Sequence, residues 1–178
     1  GTAGGMVTQD PAFRRRYVRM EECPPNAVRW DDGVIAAFTC RKQGLTISDV
    51  RRLHMGERPE NPELTALVFR DVEMASATFY NGFTYVDTMN PDATARFLEL
   101  THEQYASRCG RRLGTSIKGI FTDEPHRGAL MDRFGNEGRL SELQAPWNNR
   151  IRERFMEAFG YDIVDRLPEL FLHLDGQA

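Results

Sequence analysis

The sequence predicts an α/β fold built on a mainly parallel sheet. Three observations carry that expectation: apolar runs of strand length at 34–39, 64–69 and 117–121, stretches of helical spacing around them, and the order strand, helix, strand, helix. Alternation of that kind is what βαβ units with right-handed crossovers produce. At 178 residues, 40% hydrophobic and 28% charged, the chain has enough apolar material for a core and suits one domain spanning 1–178.

Asp10-Pro11 is a helix-start signal, and Phe13, Tyr17 and Met20 follow at helical spacing until Pro24-Pro25 ends the helix. Val34 to Thr39 reads as a buried strand, and Gly44 with Leu45 to Ser48 as its hairpin partner, giving a small β-ribbon. Met55 to Glu63, rich in Pro and Glu, is a loop. Leu64 to Phe69 is a second buried strand, delivering Asp71 and Glu73 just past its end. Asn90-Pro91-Asp92 combines a cap, a first-turn proline and an acid at the positive helix end, and Phe97, Thr101 and Tyr105 then share a face up to Gly110. Ile117 to Phe121 resumes a strand, followed at once by Asp123 and Glu124. Residues 128–146 are irregular and polar, Ile151, Phe155 and Phe159 mark a last helix ended by Gly160, and a short helical turn covers Ile163 to Leu167.

Twenty-three basic against 26 acidic residues give a net charge of −3, which argues against coating nucleic acid or a polybasic membrane role. No window approaches the ~20 apolar residues of a membrane helix. Cys23, Cys40 and Cys109 lack zinc-ribbon or disulfide spacing, and His54 and His173 have no metal-spaced companions, so neither a metal site nor a cofactor is expected. The Gly1 to Gly5 segment lacks the glycine spacing of a nucleotide loop. Localisation stays open.

Working residues of parallel α/β folds gather at the carboxyl ends of strands, and two such ends here carry acids. Pro125 biases Glu124 toward extended backbone and holds its carboxylate at the strand mouth. A solvated loop pair is the alternative reading of Asp123 and Glu124. Tyr80-Asn81-Gly82 and Tyr85 to Asp87 form an aromatic and polar loop suited to sugar stacking and hydroxyl bonding, or else one whose tyrosines cover the core while Asp87 serves the turn before Asn90. His126 could bond a sugar hydroxyl or tune the carboxylate, or be incidental to its loop; His102 reads as surface.

The string Phe121-Thr-Asp-Glu-Pro-His126, preceded by Tyr80-Asn-Gly-Phe-Thr-Tyr-Val-Asp-Thr-Met-Asn-Pro91, resembles a group of bacterial glycoside hydrolases with (β/α)8 catalytic barrels. Gly1 to Gly5, Asp10-Pro11, Gly160-Tyr-Asp162 and Leu167-Pro-Glu-Leu-Phe171 are similar to segments of the same group, so the resemblance covers most of the chain. More distantly, Asp123-Glu124-Pro125 resembles the Asn-Glu-Pro strand end of retaining glycosidases, which implies an acid/base role for Glu124, with Asp123 standing where those enzymes have asparagine.

The resemblance implies a partial (β/α)8 barrel, the N-terminal part of a glycosidase that hydrolyses O-glycosidic bonds of a carbohydrate substrate. A whole barrel takes about 250 residues, roughly 70 more than are present, and Gly1 stands where an initiator methionine would, so an excerpt from a longer chain is expected. Glycoside cleavage needs two carboxyl groups. Glu124 is the expected general acid/base, its pKa raised by partial burial and by Asp123, with Asp123 beside it in the site. Glu73, Tyr80, Asn81, Tyr85 and His126 are expected substrate contacts. The alternatives are a carbohydrate-binding barrel without catalysis, and a structural fragment that self-associates through exposed barrel edges.

Overall fold

A computed structural model describes residues 4–121 and 143–176. The chain divides into two compact units, one drawn from residues 1–16 and 73–131, the other from 17–72 and 132–178.

The second unit is organised by a six-stranded sheet. Its strands are β1 (Arg16–Cys23), β2 (Val34–Gln43), β3 (Thr46–Arg52), β4 (Thr65–Glu73), β5 (Leu143–Trp147) and β6 (His173–Leu174), in spatial order β5-β1-β4-β2-β3-β6. β2 runs antiparallel to both β3 and β4, and the short β6 pairs in parallel with β3. The expected TIM-type barrel of parallel strands is therefore wrong: the sheet is mixed, mostly antiparallel and curled as a half-barrel. Parallel neighbours need crossover connections, usually helical. Here β2 turns into β3 through Gly44 and Leu45, with Gly44 at φ +61°, and β3 reaches β4 through a segment without a helix. The expected barrel edges disappear with the barrel, and the edge strands are β5 and β6.

Period-two alternation gives this sheet two buried faces. Ala36, Phe38 and Cys40 of β2 and Leu67 and Phe69 of β4 face a core shared with Val18, Met20, Ile47, Trp147, Val164, Leu167 and Leu172. Ala37, Ala66 and Val68, their sequence neighbours, face a smaller cluster with Val28 and Leu53. Phe69 anchors the first, edge-on to Phe38 at 5.7 Å and stacked on Phe171 at 5.9 Å. Burial pushes the Cys40 thiol up to about 11, helped by the negative charge of Glu22. Arg70 projects from β4 to bond Glu21 at 2.9 Å, Asp31 at 2.6 Å and the carbonyl of Arg29 at 2.8 Å.

The segment expected as a first helix is instead a single 3-10 turn, Pro11–Phe13, capped by Asp10, and then β1. Tyr17 and Val18 are adjacent and both buried, which a strand covered on two sides achieves by pointing them oppositely. β5 falls where irregular chain was expected.

Four helices complete the described chain: α1 (Gly4–Val7), α2 (Pro91–Leu100), α3 (His102–Cys109) and α4 (Asn149–Phe159). The first three belong to the first unit. Asn90 caps α2 by accepting from the Asp92 N–H at 3.0 Å. The helix expected to run unbroken to Gly110 breaks at Thr101, whose hydroxyl donates to the Phe97 carbonyl at 2.6 Å and competes with the backbone ladder. Ile117 to Phe121, expected as a strand, makes only a single bridge between Ile117 and Leu113 beyond the turn at Gly114, and Ile120 and Phe121 are exposed.

In the second unit α4 lays Ile151 and Phe155 against the larger core, and Gly160 closes it in the left-handed conformation. A 3-10 helix, Ile163–Leu170, then buries Ile163, Val164, Leu167 and Pro168.

Candidate functional site

Of the residues expected to meet substrate, Glu73 ends β4 and Tyr80, Asn81 and Tyr85 lie on the segment that follows it, all within the first unit. Asp71 and Glu73 lie inside β4 rather than beyond its end, because the strand continues four residues past the apolar run ending at Phe69. Glu73 is held between two guanidinium groups: Arg14 donates to Oε1 at 3.2 Å and Arg16 to Oε2 at 3.4 Å. With the Met74 N–H donating to the Arg15 carbonyl at 2.9 Å, these bonds join the chain at 14–16 to the chain at 73–74. The Glu73 carboxylate thus serves as a clasp.

Residues 8–15 brace the following loop along its length. The Thr8 hydroxyl donates to the Thr84 carbonyl at 2.9 Å, the Arg15 N–H to the Tyr85 carbonyl at 3.0 Å and the Asp87 N–H to the Phe13 carbonyl at 2.9 Å. Arg15, only 2% exposed, donates to the Thr88 hydroxyl at 2.9 Å and sets its guanidinium 4.9 Å from the Tyr85 ring centroid, a cation–π contact. Asp87 is buried and accepts from the Met89 N–H at 3.0 Å. Of the two readings of Asp87, this geometry is the turn before the Asn90 cap.

Above this base the chain makes a tight reversal. Ala77 and Phe83 pair across it, the Gly82 N–H returns to the Ala77 carbonyl at 3.0 Å, and the Asn81 N–H to the Thr78 carbonyl at 3.0 Å. Asn81 occupies the left-handed region at φ +56°, which Asn tolerates better than most residues. Tyr80 is 7% exposed, its ring edge-on to Tyr85 at 5.6 Å and to Phe79 at 5.1 Å. Gly5 packs so closely here that a Cβ on it would sit 2.5 Å from the Asn81 Nδ2 and 2.9 Å from the Tyr80 carbonyl. Phe79 remains 72% exposed at the tip.

The structure therefore gathers Tyr80, Asn81 and Tyr85 in one braced loop, with Tyr80 inward and Asn81 outward, and places Glu73 at the loop's root. Asp123, Glu124 and His126 lie outside the described residues. Sequence reasoning missed Phe79, Arg15 and Gly5. One signal points to the tip: residues 74–86 hold no charged side chain in a chain that is 28% charged, the longest such run it has. Among the described residues no three His, Cys, Asp or Glu side chains group as a metal site, and no helix is long and apolar enough to cross a membrane. His102 shares a 2.9 Å hydrogen bond with the Thr101 hydroxyl and lies edge-on to Phe97 at 5.5 Å.

No protein-family model matches the chain, and neither a curated protein nor a solved structure matches it.

Proposed function

We propose that the protein is a glycoside hydrolase in which Glu124 is the general acid/base. The observation that carries this reading is the string Phe121-Thr-Asp-Glu-Pro-His126, with its resemblance to the acid/base segment of glycosidases, downstream of an uncharged loop of aromatic, hydroxyl and amide side chains. In the proposed reaction the Glu124 carboxyl donates its proton to the glycosidic oxygen as the bond to the anomeric carbon lengthens, and a second carboxylate acts from across the sugar ring. Glu73 and Asp87 are poor choices for that second group, since the one is engaged by two arginines and the other is buried in a turn. Asp123 and Glu124 then lie on the catalytic segment, and the loop at Tyr80 to Tyr85 supplies the substrate contacts.

The test is release of reducing sugar from a panel of natural oligosaccharides by the intact protein and by Glu124→Gln. The substitution is expected to lower turnover at least about 100-fold, the scale of a positioned general acid, and to remove the alkaline limb of the kcat/KM profile. Equal turnover by both proteins on a substrate with a poor leaving group would take Glu124 out of the role. Saccharide binding without any turnover by the unsubstituted protein would favour the second reading, a carbohydrate-binding protein that uses the same loop.

A further inference from the structure

We propose that the tip of the braced loop, residues 75–82, is a binding subsite for an uncharged saccharide, with a sugar ring stacked on Phe79 and hydroxyls bonded by Asn81 and Thr78. This deepens the carbohydrate reading above and rests on it, but on different residues from the catalytic acid.

Phe79 is the one ring of its cluster that faces water. An exposed phenyl leaves apolar surface in water, and here the turn that carries it is held by backbone hydrogen bonds. The Tyr80 N–H is tied to the Ala77 carbonyl at 3.0 Å and the Phe83 N–H to the Tyr80 carbonyl at 3.1 Å, so the 3-10 turn Thr78–Tyr80 is fixed from both sides. Tyr80 is seated against Tyr85, and Tyr85 against Arg15, which itself is buried. The outward ring is thus the end of a chain of edge-on and cation–π contacts whose inner members are held by the fold, and a ligand that stacks on it loses little entropy to loop ordering.

Composition then selects the ligand. Ser76, Thr78 and Asn81 are exposed beside the ring and offer hydroxyl and amide groups, with no charge from Met74 to Val86. The tip segment itself offers no counter-ion to a phosphate, a nucleic acid or an acidic peptide. A neutral polyhydroxylated ring finds an apolar face for its C–H side and donors and acceptors for its rim.

The experiment is isothermal titration of cellotriose, maltotriose, xylotriose and, as a charged control, trigalacturonate into the intact protein, Phe79→Ala, Phe79→Trp and Glu124→Gln. At least one neutral trisaccharide is expected to bind. Phe79→Ala should weaken it by about five- to tenfold, the scale of one lost aromatic contact. Phe79→Trp should bind as well or better, with a change in indole emission on saturation. Affinity equal to that of the unsubstituted protein in a folded Phe79→Ala overturns the subsite, as does tighter binding of trigalacturonate than of every neutral trisaccharide, or no binding of any neutral trisaccharide at millimolar concentration. Loss of binding in Phe79→Ala with full turnover in Glu124→Gln keeps the subsite and removes the catalytic reading. The reverse pattern keeps the catalytic reading and removes the subsite.

Discussion

Gly5 shows how a residue without a side chain determines where other side chains stand. A Cβ built on it would press on the Asn81 side chain and the Tyr80 carbonyl, so a methyl there would meet backbone as well as a movable amide. Gly5→Ala is expected to destabilise the first unit by about 1–3 kcal/mol, as overpacking does, and urea denaturation followed by tyrosine fluorescence would measure it. A midpoint unchanged from the parent protein would mean that the contact yields without cost. The aromatic and amide character of 80–85 was legible in the sequence, because composition alone says what a loop can touch. Which ring would face water was not, since that depends on Tyr80 being seated between Phe79 and Tyr85, and on Arg15 reaching Tyr85 from a part of the chain far away in sequence.

At the scale of elements, the turn at Asp162 couples the end of α4 to the 3-10 helix that follows. Asp162 accepts from the Val164 N–H at 3.0 Å as a cap and from Arg152 at 2.5 and 2.8 Å. Burial alone would raise its pKa, but the Arg152 guanidinium and the Val164 N–H together hold it below the ordinary carboxylate value. A carboxyl depressed in the fold binds its proton more readily when unfolded, so its stabilisation is complete above the ordinary value of 3.8 and fades as pH falls through the folded-state pKa. Asp162→Ala should cost about 1–2 kcal/mol at neutral pH, with the difference from the parent shrinking in acid. Urea midpoints at pH 7 and pH 3 would check both the loss and its sign, and a difference that grew in acid would refute the assignment. The helix that starts at Pro91 was legible from its Asn90 cap, though its break at Thr101 was not, and the helix at 149–159 was legible from its apolar spacing and the Gly160 stop. β1 was not, because Phe13, Tyr17 and Met20 happen to fit a helical face, and what decides for a strand is the sheet on which Val18 and Met20 pack. β5 was hidden for the same reason, as its short sequence acquires its structure from the neighbouring β1.

For the whole molecule, the apolar burial that gives resistance to opening is unevenly distributed. The second unit holds the larger core and the smaller cluster beside it, whereas α3 buries no residue and α2 buries only Ala93. Opening free energies follow local burial. Amides of β2 and β4, such as Phe38 and Leu67, are therefore expected to exchange slowest with deuterium, and those of α2 and α3 much faster, as amide-resolved exchange would show. Equal protection of α3 and β2 would contradict that ranking. The two-sided burial of β2 and β4 was legible as continuous apolar runs, but such runs occur in buried parallel and antiparallel strands alike. The distinction lay in the connections, where the absence of a helix between β3 and β4 should have outweighed the helices that come later.

The larger core also constrains how the protein emerges during synthesis. Phe38, Ile47 and Phe69 are made first, whereas Trp147, Leu167 and Leu172, which belong to the same core, are made only after the whole of the segment from 73 to 121. Contacts between residues so distant in sequence are slow to form. The hairpin of β2 and β3 can close at once, but its apolar face must wait, wet, for its cover. A nascent chain stalled before Trp147 would display that face to chaperones, while one carried past Leu172 would hide it.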